Sequence, residues 1–163
     1  EVLYYALNEK PAIAGVIVTS PALDRATFTP GQVRLMQMLK HIAPRLTVAS
    51  GLKRWALSRD PQVIANYEKD KLVHDKVSVS TGYFIYDGIR YIHEHAADWT
   101  LPLYLVHGTK DEICPIAGTD AFFEEATGPI TYKRWVGLYH ETHNEPEKDK
   151  ILKTMIDWIE DQL

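Results

Sequence analysis

The apolar run at residues 103–106 (LYLV) is the feature that most constrains the fold of this 163-residue chain. Its apolar side chains do not alternate with polar ones, which is typical of a strand covered on both faces in a parallel sheet. A second run of this kind, 13–18, ends in Thr19-Ser20-Pro21. A third candidate strand, 130–135, alternates more and is typical of a sheet edge. The three segments therefore predict the parallel sheet of an α/β protein.

Helices are predicted around these strands at residues 2–7, 31–43, 61–69, 82–97, 116–126 and 147–163. Three strands and about six helices would leave the apolar strand 13–18 as an open sheet edge, and such edges promote aggregation. Two explanations remain: the N-terminal half of a larger sheet lies outside this chain, or the chain's own helices cover the edge. We favour the first explanation, because the first helix has no capping residue before it.

Composition excludes several classes of protein. An apolar fraction of 45% and a charged fraction of 25% are those of an ordinary globular protein, and a net charge of −4 argues against a nucleic-acid partner. The single cysteine, Cys114, excludes an internal disulfide and fits a reducing compartment. The longest apolar stretch, 12–18, is far shorter than the roughly 20 residues of a membrane span. We predict a cytoplasmic protein, with membrane contact that is at most peripheral.

Two loops that follow predicted strands carry an acid and a base. Asp111 follows strand 103–106 through a glycine-containing turn, and His140 follows strand 130–135 through Gly137-Leu138-Tyr139. Both residues should lie at the carboxyl edge of the sheet, where open α/β folds bind ligands. A carboxylate there can fix a histidine tautomer and stabilise the imidazolium that forms during acyl transfer. Asp111 has an alternative role as the cap of the following helix, but the ordered pair favours catalysis.

The nucleophile of such a site is not found in the sequence. No two glycines lie four positions apart, so the chain contains no Gly-x-Ser-x-Gly turn. The segment from His140 to His143 is one residue shorter than the H-E-x-x-H motif of zinc proteases, and neither a phosphate-binding glycine loop nor a C-x-x-C pair is present. We therefore predict no metal and no cofactor.

Several phrases of the sequence match a known family. The phrases are the acid loop 105–111, the histidine loop 137–145, and the segments 42–48 (IAPRLTV), 57–61 (LSRDP) and 70–74 (DKLVH). Together they resemble the C-terminal half of the monoacylglycerol lipase and lysophospholipase branch of the α/β-hydrolases. This branch is also classified with the serine aminopeptidases. The first two phrases recur throughout that fold, whereas the other three are more specific to this branch.

The resemblance implies both an architecture and an activity. Residues 1–21 and 81–163 would form the last three strands of an α/β-hydrolase sheet with their flanking helices, and 22–80 an inserted, mainly helical cap. The implied enzyme is a serine hydrolase that cleaves acyl esters of monoglycerides or lysophospholipids. Asp111 and His140 would be its acid and base. The nucleophile would lie shortly before residue 1, so this chain alone should be inactive.

The resemblance also suggests further residues and partners. By position alone, Leu23 and Ile113 would line the acyl pocket, and Cys114 would be a pocket-wall or buried thiol. The expected partners are an acyl-ester lipid and the missing N-terminal half of the sheet. An alternative function is a non-catalytic unit that binds an apolar ligand or a partner chain through the cap. Kinship with dehalogenases or epoxide hydrolases is a third possibility, and the cap phrases argue against it.

The predicted helix 31–43 has a broad apolar face, which its helical spacing brings together. The residues of this face are Val33, Leu35, Met36, Met38, Leu39 and Ile42. We expect a lid helix packed over the body of the protein. A second hypothesis is that the same face also touches lipid, as interfacial amphipathic helices do.

Overall fold

The computed structural model describes residues 1–163, and its main sheet has three parallel strands. The strands are β1 (Val16–Thr19), β4 (Leu103–Gly108) and β5 (Ile130–Trp135), in the spatial order β1-β4-β5. The three strands predicted from the sequence are thus confirmed, with β5 at an edge. The strand β1 begins at Val16 instead of residue 13. Its pairing with β4 starts there, with a hydrogen bond from Val16 N–H to Pro102 O.

The chain also has six α-helices, as predicted. They are α1 (Val2–Glu9), α2 (Pro30–Ile42), α3 (Pro61–Lys69), α4 (Val79–Glu94), α5 (Ile116–Glu125) and α6 (Lys148–Asp161). The bounds of α4 differ most from the prediction of 82–97. Ser78 caps the helix early, because its Oγ accepts a hydrogen bond from Thr81 N–H, and a tight turn at Ala96–Asp98 ends it.

A two-stranded antiparallel ribbon is present that the sequence analysis missed. It pairs β2 (Thr47–Ala49) with β3 (Lys76–Ser78), and Val48 lies opposite Val77. Strands of only three residues are too short to show the alternation of apolar and polar residues by which a strand is predicted. The ribbon lies in the segment 22–80, which otherwise has helices α2 and α3, so "mainly helical" describes it correctly. Its standing as a separate cap stays a prediction.

The strand β4 lies in the core with both faces covered. Leu103 and Leu105 pack on one face in a cluster with residues of α1, α4 and α5, whereas Tyr104 and Val106 pack on the other face with residues of α6. Every residue of β4 is buried. This two-sided burial is the physical reason for the unbroken apolar run from which the sheet was predicted.

The helix α2 has two apolar stripes with different surroundings. Met36 lies against Gly82 of α4, and Val33 and Leu39 are half-buried. A second stripe of Leu35, Met38 and Ile42 is exposed, with 51%, 54% and 75% of its residue surfaces open to solvent. The expected lid helix is thus only partly packed. None of the six helices combines the length and the apolarity that a membrane crossing requires.

Candidate active site

The loops after β4 and β5 are held against each other by backbone contacts. Gly108 closes β4 so near to the second loop that a Cβ atom there would lie 2.3 Å from Tyr139 O. Lys110 N–H donates to Leu138 O at 2.9 Å, and Gly137 turns the second loop with a left-handed φ of 81°. A residue with a side chain would clash at the first glycine and be strained at the second. These glycines therefore fix the separation of the two loops.

Asp111 and His140, the two predicted site residues, are in direct contact. His140 Nδ1 lies 2.8 Å from Asp111 Oδ2, and the other carboxylate oxygen accepts the N–H groups of Ile113 at 2.8 Å and Cys114 at 2.9 Å. The Asp111 side chain is fully buried, whereas 23% of the His140 side chain is exposed. His140 Nε2 makes no hydrogen bond within the chain. The imidazole therefore has one nitrogen fixed by the acid and the other available to a reactant.

Electrostatics keep Asp111 ionised. Burial alone would raise the pKa of its carboxyl group, but hydrogen bonds from His107, His140 and the N–H of Cys114 outweigh burial and hold the pKa well below its usual range. The residue is thus an anion at neutral pH. A buried anion beside His140 stabilises the imidazolium that a general base becomes when it takes a proton.

The backbone of His140 is held by distant parts of the chain. Ser20, at the end of β1, donates from Oγ to His140 O at 2.6 Å, and Glu141 N–H donates to Leu57 O at 2.8 Å. Ser20 itself has a left-handed φ of 45°, which is uncommon for a residue other than glycine. The histidine loop is therefore fixed both by the sheet and by the segment before α3.

Glu145 supplies a further support that the sequence analysis missed. Its carboxylate is completely buried and accepts Tyr139 N–H at 2.6 Å and Arg59 Nε–H at 2.9 Å. The ion pair ties the backbone next to His140 to the residues before α3. In the sequence, Glu145 is only the last residue of the phrase 137–145, and no pattern pairs it with Arg59.

Comparison with known proteins places the chain in a family. The family model described as serine aminopeptidase, S33, matches residues 2–147. The chain belongs to this family. A monoacylglycerol lipase of Mycolicibacterium smegmatis is 31% identical over 161 residues, covering 97% of this chain and 57% of that protein. A phospholipase of Bacillus subtilis is 31% identical over 153 residues, covering 90% of this chain and 58% of that protein.

A solved structure supports the same assignment. The monoacylglycerol lipase of Paleococcus ferrophilus superposes with a TM-score of 0.93 and 31% identity, over 99% of this chain and 64% of that protein. The chain therefore spans between 57% and 64% of the length of these three relatives. The resemblance to the monoacylglycerol lipase branch and the α/β-hydrolase fold are both confirmed.

The other residues that the sequence analysis singled out in this S33 chain lie in different surroundings. Leu23 is buried in the core and lines an apolar cavity of about 480 Å³ between α1, β1 and α4. Ile113 is half-buried beside Asp111. Burial, together with the charge of Asp111, raises the pKa of the Cys114 thiol to about 12, so this residue is not a nucleophile at neutral pH. The roles of Leu23 and Ile113 in an acyl pocket stay predictions.

Proposed function

We propose that this chain carries the acid and the base of a serine hydrolase that cleaves acyl esters of monoglycerides or lysophospholipids. The observation that carries the proposal is the 2.8 Å contact of His140 Nδ1 with the buried Asp111 carboxylate, which leaves Nε2 free. Membership of the S33 family and relatives named as monoacylglycerol lipase and phospholipase support the substrate class.

In the proposed reaction, His140 moves the protons. Its Nε2 takes the proton of the serine nucleophile as that serine attacks the acyl carbonyl, and Asp111 stabilises the imidazolium. The same proton then goes to the leaving alcohol, so that an acyl-enzyme forms and the alcohol departs. In the second half of the cycle, His140 takes a proton from the water that attacks the acyl-enzyme. It gives this proton to the serine oxygen as the ester bond breaks, which releases the fatty acid and restores the serine and the neutral imidazole.

The proposed nucleophile comes from polypeptide that precedes residue 1. Support comes from β1, which pairs with β4 alone and so has one edge without a strand. Val16 and Ser20 donate their N–H groups toward β4, so the alternation of a strand directs those of Ile17 and Thr19 to the open edge. An upstream parallel strand would pair here, beside the apolar cavity at α1. We also propose that the chain without this strand is inactive.

The exposed stripe of α2 suggests contact with the surface of lipid aggregates. Leu35, Met38 and Ile42 are all more than half exposed, and an apolar stripe of this kind can lie in a lipid interface. Flotation with liposomes tests the contact. The double substitution Leu35→Glu and Met38→Glu should abolish flotation, while Gln37→Glu on the same helix should not. Equal flotation of both variants would exclude this surface. The cytoplasmic location stays a prediction.

Hydrolysis by the full-length protein tests the proposed function. Fatty acid release from monoacylglycerol and lysophospholipid should fall by about 10⁴-fold or more in His140→Ala. His143→Ala is the matched control, because His143 lies on the same loop with an exposed side chain, and it should keep full activity. A wild-type protein that binds these lipids without hydrolysing them would favour the non-catalytic alternative.

A further inference from the structure

A second histidine, His107, lies behind the acid and takes no part in the proposed proton transfers. It is the last residue but one of β4, and its side chain is completely buried. Its Nε2 atom lies 3.1 Å from Asp111 Oδ2 and 2.8 Å from Cys114 O, and its Nδ1 atom lies 2.8 Å from Thr119 Oγ1. Because no surface of the ring is open, His107 does not contact a substrate.

The partners of Nε2 assign a proton to that atom. The Asp111 carboxylate is ionised and a backbone carbonyl has no hydrogen, so both groups are acceptors only. Two acceptors within hydrogen-bond distance of one nitrogen require that this nitrogen carries the hydrogen. His107 Nε2–H therefore donates to Asp111 and to Cys114 O.

Thr119 assigns the state of the other nitrogen. This α5 residue is fully buried, and His107 Nδ1 is the sole hydrogen-bond partner of its hydroxyl group. A buried hydroxyl needs an acceptor for its hydrogen, and Nδ1 is an acceptor only when it carries no proton. One state of the His107 ring therefore satisfies all of these hydrogen bonds: the neutral ring with its proton on Nε2.

We propose that His107 is a positioning residue for the acid: a neutral donor, oriented by Thr119, that holds Asp111 Oδ2 toward His140. The inference rests on the proposed function, because positioning matters only if the Asp111–His140 pair acts in catalysis. Asp111 Oδ1 already accepts two backbone N–H groups, so His107 fixes the remaining oxygen together with His140.

The neutrality of His107 has a consequence for the base. The charged and titratable groups around Asp111 are His107, His140 and the thiol of Cys114, and the last is protonated at neutral pH. A protonated His107 would compete with the His140 imidazolium for the one carboxylate. A neutral His107 adds no positive charge of its own, so the negative charge of Asp111 remains to stabilise the His140 imidazolium. His107 thereby orients the carboxylate without competing with His140 for its charge.

Nitrogen-15 NMR of the histidine rings in the wild-type full-length protein tests the assignment without any substitution. At neutral pH, His107 should show a proton on Nε2 and none on Nδ1. A proton on Nδ1, alone or in addition to Nε2, would overturn the proposal.

Two substitutions test the effect on the base. His107→Leu removes the donor at similar volume, and His107→Gln keeps an N–H group. The first should lower kcat for ester hydrolysis about 10- to 100-fold and change KM less than about twofold, because it displaces the acid from the base and does not touch the substrate. The second should restore most of the wild-type kcat.

The two proposals fail in different ways. An unchanged kcat in a folded His107→Leu protein, or an equal loss of kcat in His107→Gln, would overturn the positioning role. Absence of ester hydrolysis from a wild-type protein with the expected His107 tautomer would instead overturn the proposed function. If His107→Leu does not fold, the wild-type tautomer still decides the assignment.

Discussion

The acid–histidine region and the strand β1 differ in how completely their polar groups are paired. At the carboxyl end of β4, both Asp111 oxygens accept hydrogen bonds, and the buried Glu145 carboxylate has an arginine and a backbone N–H as donors. The strand β1 pairs on one side alone, and its open edge adjoins an apolar cavity of about 480 Å³. The two buried carboxylates have their partners within this chain, whereas β1 has one edge without a partner strand.

This difference shows that the geometry of the proposed acid–base pair and the completeness of the sheet depend on different parts of the protein. The distance between Asp111 and His140 is set by glycine turns, by Ser20 and by the Arg59–Glu145 pair, all of which belong to this chain. The sheet, in contrast, is stabilised by strands on both sides of each central strand. We therefore expect Asp111 and His140 to keep their contact in the 163-residue chain, even if the amides at the open edge of β1 exchange rapidly.

The largest expected effect is on catalysis. Asp111→Asn keeps the size of the side chain but removes the charge that stabilises His140, so kcat/KM for ester hydrolysis by the full-length protein should fall by about 10⁴-fold. The kinetics of monoacylglycerol hydrolysis check this. Exposed Glu112→Gln, on the next residue, should change kcat/KM less than about twofold. If kcat/KM decreased less than tenfold in Asp111→Asn, the Asp111–His140 pair would not be the catalytic acid and base.

The next effect concerns the support of the histidine loop. Arg59→Ala leaves the buried Glu145 carboxylate without its cation, so the free energy of unfolding should fall by about 3 kcal/mol. Denaturant unfolding measures the change. Glu147→Gln removes the exposed partner of the same arginine and should cost less than about 1 kcal/mol. Equal effects of the two substitutions would mean that burial of Glu145 is unimportant.

Amide hydrogen exchange contrasts the two regions directly. In this chain the N–H groups of Ile17 and Thr19 should exchange rapidly, while those of Leu105 and Val106 in the buried β4 exchange slowly. In the full-length protein, exchange at Ile17 and Thr19 should slow by about 100-fold or more, because a strand would cover the edge. Equal exchange at these two amides in both proteins would exclude a strand at this edge.

The smallest expected effect is a pH dependence of stability. The pKa of Asp111 is lower in the folded chain than in the unfolded one, so its ionisation stabilises the fold above about pH 4. That stabilisation, about 1 to 2 kcal/mol, should be lost as the pH falls from 4 toward the folded-state pKa. Unfolding at several pH values measures it, and Asp111→Asn should remove this part of the slope. An unchanged slope in the variant would assign the dependence to other carboxylates.

Parts of this picture could be predicted from the sequence because local patterns carry them. The residues of β4 are apolar on both faces, and the turns to Asp111 and His140 follow their strands directly, so sheet and acid–base pair were predictable. The ribbon β2–β3 was not predictable, since strands of three residues are too short to form a pattern. The roles of His107 and Glu145 depend on Thr119 and Arg59, which tertiary folding brings to them from other elements.

Labelling by a fluorophosphonate probe tests the central claim most directly, because the probe reacts with a serine that a histidine base activates. The full-length protein should be labelled on a serine that precedes residue 1, and labelling should become at least about 10³-fold slower in His140→Ala. The 163-residue chain alone should not be labelled. Labelling of a serine within this chain, or an unchanged rate in His140→Ala, would contradict the assignment of Asp111 and His140 as its acid and base.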